Sequence, residues 1–378
     1  MNKRDSLHPS SLIPHSFPRH STRRGCCLTA PRPFDTITPI IRPTPQNRCQ
    51  SLQREGFKMA APSSNQEHYV GVELCASTAR AALVSVSGDV VARRESAFAA
   101  EDIAAQVARL IAELRDASPA RVAGVGVGLP GLVNPQTGRV VISSDLPAVV
   151  RGDLRAELSA ATGLPVTLDN DANAGAMGEY VGGAGRGSRN MFYVTIGTGI
   201  GGAIIIDGKL WRGASGFAGE FGHITIDPEG VECTCGNVGC LETVASAPNI
   251  VRRTHERLLR DSTSSLSRLG LNKDFTAADI AHAAREGDDF AALMIERTGR
   301  SIGTAIAAVI NLLNPERIVL GGGVMDAGEL ILDPIIREAG RRSFQPNFES
   351  TQIVVATLGP DAAPIGAALL ARDAAASQ

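Results

Sequence analysis

From Tyr69 onward, short apolar segments alternate along the chain with longer segments rich in Ala, Leu and Arg. The apolar segments are typical of strands, and the longer segments predict helices over residues 101–117, 154–162 and 277–286. Because strands alternate with helices, the pattern predicts an α/β protein.

The strand pattern occurs twice, about 120 residues apart. An apolar segment at residues 69–74 is followed by a loop of small residues, a second apolar segment and a turn at 88–89. A second series starts at residues 191–196 and continues through a glycine-rich loop at 197–202 and a turn at 207–208. Each series is typical of strand, loop, strand, two-residue turn and strand. We therefore predict a duplicated fold with two lobes that face a cleft.

The first 58 residues differ from the rest, because they hold ten Lys/Arg, three Asp/Glu and eight prolines without a sustained apolar period. This composition predicts disorder, and Met59 is an alternative start. A transit peptide is a second interpretation, although the prolines and acidic residues fit an amphipathic targeting helix poorly. We predict three parts. Residues 1–68 form a disordered or wrongly assigned N-terminal extension. Residues 69–188 form a small α/β lobe that is completed by a C-terminal helix at 365–378, and residues 189–364 form a large α/β lobe.

Composition excludes several classes of protein. The 378 residues carry a net charge of -2, which does not favour nucleic-acid binding. No apolar segment approaches the roughly 18 residues of a membrane span. Seven cysteines are too few for a disulfide scaffold, and three of them lie within residues 233–240. We therefore expect a cytoplasmic protein of a reducing compartment.

The glycine-rich loop has the sequence Gly197-Thr198-Gly199-Ile200-Gly201-Gly202. It matches the GxGxxG dinucleotide pattern, but a strand follows it where a Rossmann fingerprint would open a helix. Glycines in such a loop let backbone N–H groups approach a phosphate, and a plain tight hairpin is the alternative. A second glycine loop, at 321–323, follows another strand and could hold a base or only turn the chain.

Four polar residues occur within five positions at the end of a predicted strand, namely Asp169, Asn170, Asp171 and Asn173. Ligands of α/β folds bind at this end of the strands. An N-cap for the following helix is the alternative, but a cap needs only one such residue. The surplus favours a binding site.

His223, Cys233, Cys235 and Cys240 provide one imidazole and three thiols within 18 residues. This is the ligand set of a tetrahedral structural zinc site, with glycines that permit a tight wrap. Free clustered thiols and a redox switch are the alternatives.

Taken together, these motifs resemble the ROK family of repressors, open reading frames and sugar kinases, over residues 69–371. The resemblance is most specific at Glu220-x-Gly-His223 and in the segment from Cys233 to Glu242. It implies a two-lobed, actin-like ATPase fold of the hexokinase type with an interlobe cleft.

The resemblance also implies a role for each motif. Asp171 matches the catalytic base, and Asn170, Glu220, His223 and Glu242 match sugar-binding positions. His223, Cys233, Cys235 and Cys240 match ligands of a structural Zn²⁺. ATP with Mg²⁺ would be held by residues of three loops: Gly197, Thr198, Gly199, Gly201, Gly202, Gly322, Gly323 and Ser77.

Two segments depart from the family pattern. The first phosphate hairpin reads Glu73-Leu74-Cys75-Ala76-Ser77, where sugar kinases of this type have Asp-x-Gly-Gly-Thr. The added Cβ atoms would crowd a phosphate, so nucleotide and magnesium binding would weaken. Asp145 stands where the family often has Asn, which would shift the sugar preference because Asp cannot donate hydrogen bonds.

Two functions remain open at this point. One is an ATP-dependent hexose kinase, with glucose as the first choice of substrate. The other is a sugar-sensing regulator without a DNA-binding domain and with little or no kinase activity. The resemblance further implies a homo-oligomer, either a dimer or a tetramer.

Overall fold

The structure, a computed structural model, describes residues 67–99, 102–259, 263–269 and 275–377. The predicted N-terminal extension lies outside the described residues as far as residue 66. Within the described ranges the chain forms twelve strands and eleven α-helices. No helix of these ranges is long and apolar enough to span a membrane.

The strands are three to nine residues long. In chain order they are β1 (Glu67–Leu74), β2 (Thr78–Ser85), β3 (Val90–Ala97), β4 (Arg121–Leu129), β5 (Leu132–Asn134), β6 (Arg139–Ile142), β7 (Val166–Asn170), β8 (Met191–Ile196), β9 (Ile200–Ile206), β10 (Lys209–Trp211), β11 (Arg317–Gly321) and β12 (Gln352–Val355).

The helices connect or cover these strands. In chain order they are α1 (Ile103–Asp116), α2 (Pro147–Arg151), α3 (Leu154–Thr162), α4 (Asp171–Gly182), α5 (Glu242–Ala245), α6 (Ala247–Leu258), α7 (Ala277–Arg285), α8 (Asp289–Leu313), α9 (Glu329–Arg342), α10 (Gln345–Ser350) and α11 (Ala362–Ala376). The three predicted helices are therefore confirmed, with ends that differ by at most two residues.

Two five-stranded sheets have the same topology. The first has the order β3-β2-β1-β4-β7 and the second has the order β10-β9-β8-β11-β12. In each sheet the first three strands form antiparallel hairpins and the last two strands run parallel to the central one. The duplication predicted from the strand pattern is thus confirmed.

The turn between β9 and β10 explains why the hairpin pattern was visible in the sequence. Asp207 has φ 50° and Gly208 has φ +77°, so both central residues adopt the left-handed conformation that a tight type I′ hairpin requires. Asp-Gly is a preferred dipeptide for this turn because glycine has no Cβ and aspartate tolerates the conformation.

The C-terminal helix α11 packs against β1, β4 and α4 at glycine positions. A Cβ on Gly71 would clash with the backbone oxygen of Pro364, and one on Gly126 would clash with that of Ala367. Gly366 makes an equally close approach to the backbone of Ala174 in α4. The last helix therefore belongs to the core of the first sheet, while the predicted lobe boundary at 188/189 stays a prediction.

Candidate functional site

The polar cluster predicted at the end of a strand lies where β7 meets α4. Asn170 is the N-cap of α4, because its Oδ1 accepts hydrogen bonds from the N–H groups of Ala172 at 2.9 Å and Asn173 at 3.2 Å. The side-chain N–H₂ of Asn170 donates to the backbone oxygen of Gly131 at 3.2 Å. The capping interpretation is therefore correct for this one residue.

Asp169 and Asn173 also have structural partners. Oδ1 of Asp169 accepts from Nδ2 of Asn173 at 2.8 Å, and Oδ2 accepts from Nε and Nη2 of Arg212 at 2.9 and 2.5 Å. Arg212 was not predicted from the sequence, because nothing in the sequence pairs it with a residue 43 positions earlier. Of the four polar residues, Asp171 alone has a side chain whose hydrogen bonding, within the described part of the chain, is limited to the adjacent residue: its Oδ1 accepts from the N–H of Ala172 at 2.8 Å.

Asp171 is a half-buried carboxylate at the first position of α4. Its pKa is raised to about 7, mainly by burial and also by the nearby negative charges of Glu73 and Glu220, although a backbone hydrogen bond from Ala172 opposes this effect. A carboxylate with a pKa near neutrality can accept a proton from a substrate hydroxyl.

The glycine-rich loop is shorter than predicted. β9 begins at Ile200, so the loop between β8 and β9 holds only Gly197, Thr198 and Gly199. A Cβ on Gly201 would lie 2.8 Å from Cβ of Ala172, and one on Gly202 would lie 2.7 Å from the backbone oxygen of Gly219. Packing alone thus explains these two glycines, and their assignment to cofactor binding remains a prediction.

Glu242 supports the loop between β8 and β9. Its Oε2 accepts a hydrogen bond from the N–H of Ile200 at 2.9 Å. A Cβ on Gly199 would lie 3.0 Å from the same oxygen, so the carboxylate packs closely against the loop. The backbone N–H of Ala247 donates to the oxygen of Gly197 at 2.8 Å and fixes the other end of the loop.

Glu220 and His223 lie at a 3₁₀ turn, Phe221–His223, which follows a glycine-rich segment. Oε2 of Glu220 is 4.0 Å from Nε2 of His223. Burial raises the pKa of Glu220, and the imidazole of His223 lowers it. The predicted sugar-binding residues therefore include a carboxylate and an imidazole that face each other.

The other ring nitrogen of His223 faces the cysteine cluster. Nδ1 lies 3.7 Å from Sγ of Cys233, and Sγ of Cys235 lies 3.7 Å from Sγ of Cys240. All four ligand atoms lie within 4.8 Å of one another. Zinc–sulfur bonds of about 2.3 Å in a tetrahedron separate two sulfur atoms by roughly 3.8 Å. The observed spacing therefore fits one tetrahedral metal ion.

Two glycines shape the cysteine loop. Gly236 has φ +87° and turns the chain between Cys235 and Cys240. Gly239 has φ +72°, and a Cβ there would clash with the backbone oxygen of Asp227. The wrap that brings the thiols together thus requires glycine at both positions.

The remaining predicted residues lie in two further loops. Gly322, with φ +88°, packs against the backbone of Ile196 at the end of β8, and Gly323 begins a 3₁₀ turn after β11. Ser77 is exposed in the β1–β2 hairpin, which a hydrogen bond from Cys75 N–H to Thr78 oxygen closes at 2.8 Å. Near this hairpin, Nη1 of Arg80 lies 3.2 Å from Oε2 of Glu73.

Comparison with known proteins places this arrangement in a family. The sequence profile described as the ROK family matches residues 69–374. A glucokinase of Halalkalibacterium halodurans is 38% identical over 319 residues, which cover 80% of this chain and 94% of that protein. The chain therefore belongs to the ROK family.

Solved structures of the family include both kinases and regulators. A ROK family glucokinase from Streptomyces griseus, in complex with glucose and AMPPNP, has a TM-score of 0.72 and 34% identity over 81% of this chain and 99% of its own. A ROK family transcriptional regulator, a homologue of Escherichia coli Mlc, has a TM-score of 0.71 and 32% identity over 80% of this chain and 77% of its own. The fold is the two-lobed, actin-like ATPase architecture with an interlobe cleft, as predicted.

The cysteine cluster generates the first testable prediction. Cys235→Ser should remove metal from the chain and lower the melting temperature at the same time. Loss of a residue that only hydrogen-bonds to a metal ligand typically lowers metal affinity 10–100-fold, so loss of a ligand itself should lower it more than about 100-fold. Metal content by mass spectrometry and thermal unfolding measure the two effects.

Cys75→Ser is the matched control, because Cys75 is a thiol outside the cluster. Its metal content should equal that of the wild type. Full metal content and unchanged stability in Cys235→Ser would rule out a structural metal at this loop.

Proposed function

We propose that the protein is an ATP-dependent sugar kinase that transfers the γ-phosphate to a hexose hydroxyl, with glucose as the principal substrate. The observation that carries the proposal is Asp171, a carboxylate with a pKa of about 7 at the first position of α4, whose Oδ1 accepts a hydrogen bond from the adjacent Ala172 N–H at 2.8 Å while the neighbouring Asp169 is paired with Arg212 and Asn173. Relatives of the protein include glucokinases, and this similarity supports the same reaction.

Asp171 would act as the general base. A sugar hydroxyl is a poor nucleophile, and a carboxylate within hydrogen-bond reach accepts its proton as the oxygen attacks the γ-phosphorus. The pKa of Asp171 is then high enough for efficient proton transfer and low enough for about half the population to be ionised at neutral pH.

Asn170, Glu220, His223 and Glu242 would orient the sugar. Carboxylates accept hydrogen bonds from hydroxyls, and the amide of Asn170 can both donate and accept. Glu242 would in addition hold the loop at residues 197–199 through Ile200 N–H.

The phosphates would lie against backbone N–H groups of two loops, which would face the cleft. The β8–β9 loop with Gly197, Thr198 and Gly199 offers one set, and the hairpin with Ser77 offers the other. Gly322 and Gly323 would accept the base of the nucleotide. Mg²⁺ bound with ATP would neutralise charge on the β- and γ-phosphate oxygens.

His223, Cys233, Cys235 and Cys240 would hold a structural Zn²⁺. Coordination through Nδ1 of His223 would fix the tautomer of the ring and direct Nε2 toward Glu220. The metal would therefore order a sugar-binding residue without contacting the substrate. We also propose a homo-oligomer, as the resemblance implies.

Asp171→Asn tests the role of the base. Because amide cannot accept the proton, turnover should fall by about 10²–10⁴-fold, while the dissociation constant of the sugar changes little. Sugar-dependent ADP release and isothermal titration with glucose measure the two quantities. Equal loss of binding and turnover would mean that Asp171 is structural.

The pH dependence tests the pKa of the base. Only ionised Asp171 accepts a proton, so kcat/KM should rise with pH through about 7 and level off above it. Glu73→Gln removes a negative charge that raises this pKa and should move the rise to lower pH. Glu286→Gln, which changes an exposed carboxylate, is the control and should leave the profile in place.

A sugar-sensing regulator without kinase activity is the second candidate, and the β1–β2 hairpin favours it. Cys75 and Ala76 carry Cβ atoms at positions where sugar kinases of the family have glycine. Among the described residues other than glycine, only Asp207 and Asn314 have positive φ, so this hairpin folds without strain. Cys75 and Ala76 would therefore affect the binding of the nucleotide and not the fold of the hairpin.

Cys75→Gly combined with Ala76→Gly tests whether the hairpin limits nucleotide binding. Removal of the two Cβ atoms should lower the KM for ATP by roughly 2- to 13-fold, since one restored N–H contact contributes about 0.5–1.5 kcal/mol. Steady-state kinetics at saturating glucose measure the change. If wild type and variant both bind sugar but release no ADP at millimolar ATP, the regulator is the correct function.

A further inference from the structure

Arg212 forms an ion pair that joins the two sheets. Its guanidinium directs Nε and Nη2 to a single oxygen, Oδ2 of Asp169, at 2.9 and 2.5 Å. Asp169 ends a strand of the first sheet and is 3% exposed, whereas Arg212 follows β10 of the second sheet and is 27% exposed. Because the Asp169 carboxylate is buried, water cannot replace Arg212 as its partner as it could at an exposed surface ion pair.

On the side of the second sheet, Arg212 begins the glycine-rich segment that leads to Glu220. Its backbone oxygen accepts a hydrogen bond from Ala218 N–H at 3.0 Å, which closes the segment into a loop. A Cβ on Gly219 would clash with the backbone oxygen of Gly202, so the end of the loop packs tightly on β9. The position of Arg212 and the position of Glu220 are therefore fixed together.

On the side of the first sheet, Asp169 directly precedes Asn170 and Asp171. Its Oδ1 accepts from the N–H of Asn170 at 2.8 Å and from Nδ2 of Asn173 at 2.8 Å. The carboxylate therefore contacts both the N-cap and the first turn of α4. A rotation of the Asp169 side chain would break both hydrogen bonds, which hold Asn170 before Asp171 and Asn173 after it.

A second contact connects the same two segments. A Cβ on Gly216, in the loop after Arg212, would lie 2.5 Å from Cδ of Pro135 in the β5–β6 hairpin. That hairpin starts next to Gly131, whose oxygen accepts the amide of Asn170. The Arg212–Asp169 pair and this apolar contact thus both connect the loop after β10 with segments that contact Asn170.

We propose that Arg212 is a positioning residue that holds the Asn170–Asp171 segment of one sheet in register with the Glu220 segment of the other. The inference rests on the proposed kinase function. Arginine suits this role because its planar fork presents two N–H donors to one carboxylate in a fixed orientation, whereas lysine presents a single flexible ammonium group.

The experiment compares Arg212→Met, Arg212→Lys and the double variant Asp169→Asn/Arg212→Met in the full chain. Turnover is measured as glucose-dependent ADP release. Sugar affinity is measured by fluorescence of Trp211, which is the single tryptophan of the sequence and adjoins Arg212. Thermal unfolding reports stability. Arg189→Met is the matched control, because Arg189 forms an exposed ion pair with Asp207.

Arg212→Met should lower kcat about 10- to 100-fold, since a misplacement of 1 Å can cost that much. The sugar Kd should rise by only roughly 3- to 10-fold, and Arg212→Lys should lie between wild type and Arg212→Met. The double variant removes the unpaired buried charge, so its melting temperature should recover toward wild type while kcat stays low. Arg189→Met should change none of these values.

Recovery of kcat together with stability in the double variant would mean that Arg212 is only structural, and an unchanged kcat in Arg212→Met would also overturn the proposal.

If the wild type binds glucose but has no turnover, the proposed function fails. The positioning role is then decided by affinity alone. A Kd raised in Arg212→Met and in the double variant supports it, and an unchanged Kd refutes it.

Discussion

The complete hydrogen bonding of Asp169 is the constraint on which the site depends. This buried carboxylate accepts from Arg212, Asn170 and Asn173, so its charge is compensated and its orientation is fixed. Asn170 is in turn occupied as the N-cap of α4. Asp171 lies between these residues and accepts a hydrogen bond only from the N–H of the adjacent Ala172 among the described residues, and burial with nearby negative charge raises its pKa.

The second sheet contributes a matching set of supports. His223 faces the thiol cluster with one nitrogen and Glu220 with the other. Two residues beyond Cys240, Glu242 holds the N–H of Ile200 and thereby the glycine loop. The cysteine loop is therefore connected through short covalent and hydrogen-bonded paths to both Glu220 and the β8–β9 loop. A metal at this loop would order both without entering the reaction.

The same fold serves kinases and regulators among the relatives, so fold alone does not decide the function. The residues that bear on the decision lie in the β1–β2 hairpin. Its backbone needs no positive φ, so Cys75 and Ala76 do not strain the fold, and under the proposal their side chains would reduce the space available to a nucleotide. Asp171 and the β8–β9 loop favour the kinase, whereas the β1–β2 hairpin, which lacks the two glycines, favours the regulator.

Periodicity and turn chemistry were sufficient to predict the duplicated α/β fold. The strands are short continuous apolar segments, and dipeptides such as Asp207-Gly208 specify tight hairpins through local backbone sterics, so both signals are contained in short segments. The cluster of His223, Cys233, Cys235 and Cys240 was also predictable, because these residues lie within 18 positions and glycines bend the chain between them.

Contacts between distant segments were decided only by the tertiary structure. The sequence gives no reason to pair Arg212 with Asp169 or Glu242 with Ile200, since these partners are 43 and 42 residues apart. It also could not distinguish glycines that serve packing, such as Gly201 and Gly202, from glycines of an open loop. At Gly201 and Gly202, atoms of distant segments leave no room for a side chain, and only folding brings those atoms close. The sequence determined which chemical groups are available, and the tertiary structure determined which of them remain free to react.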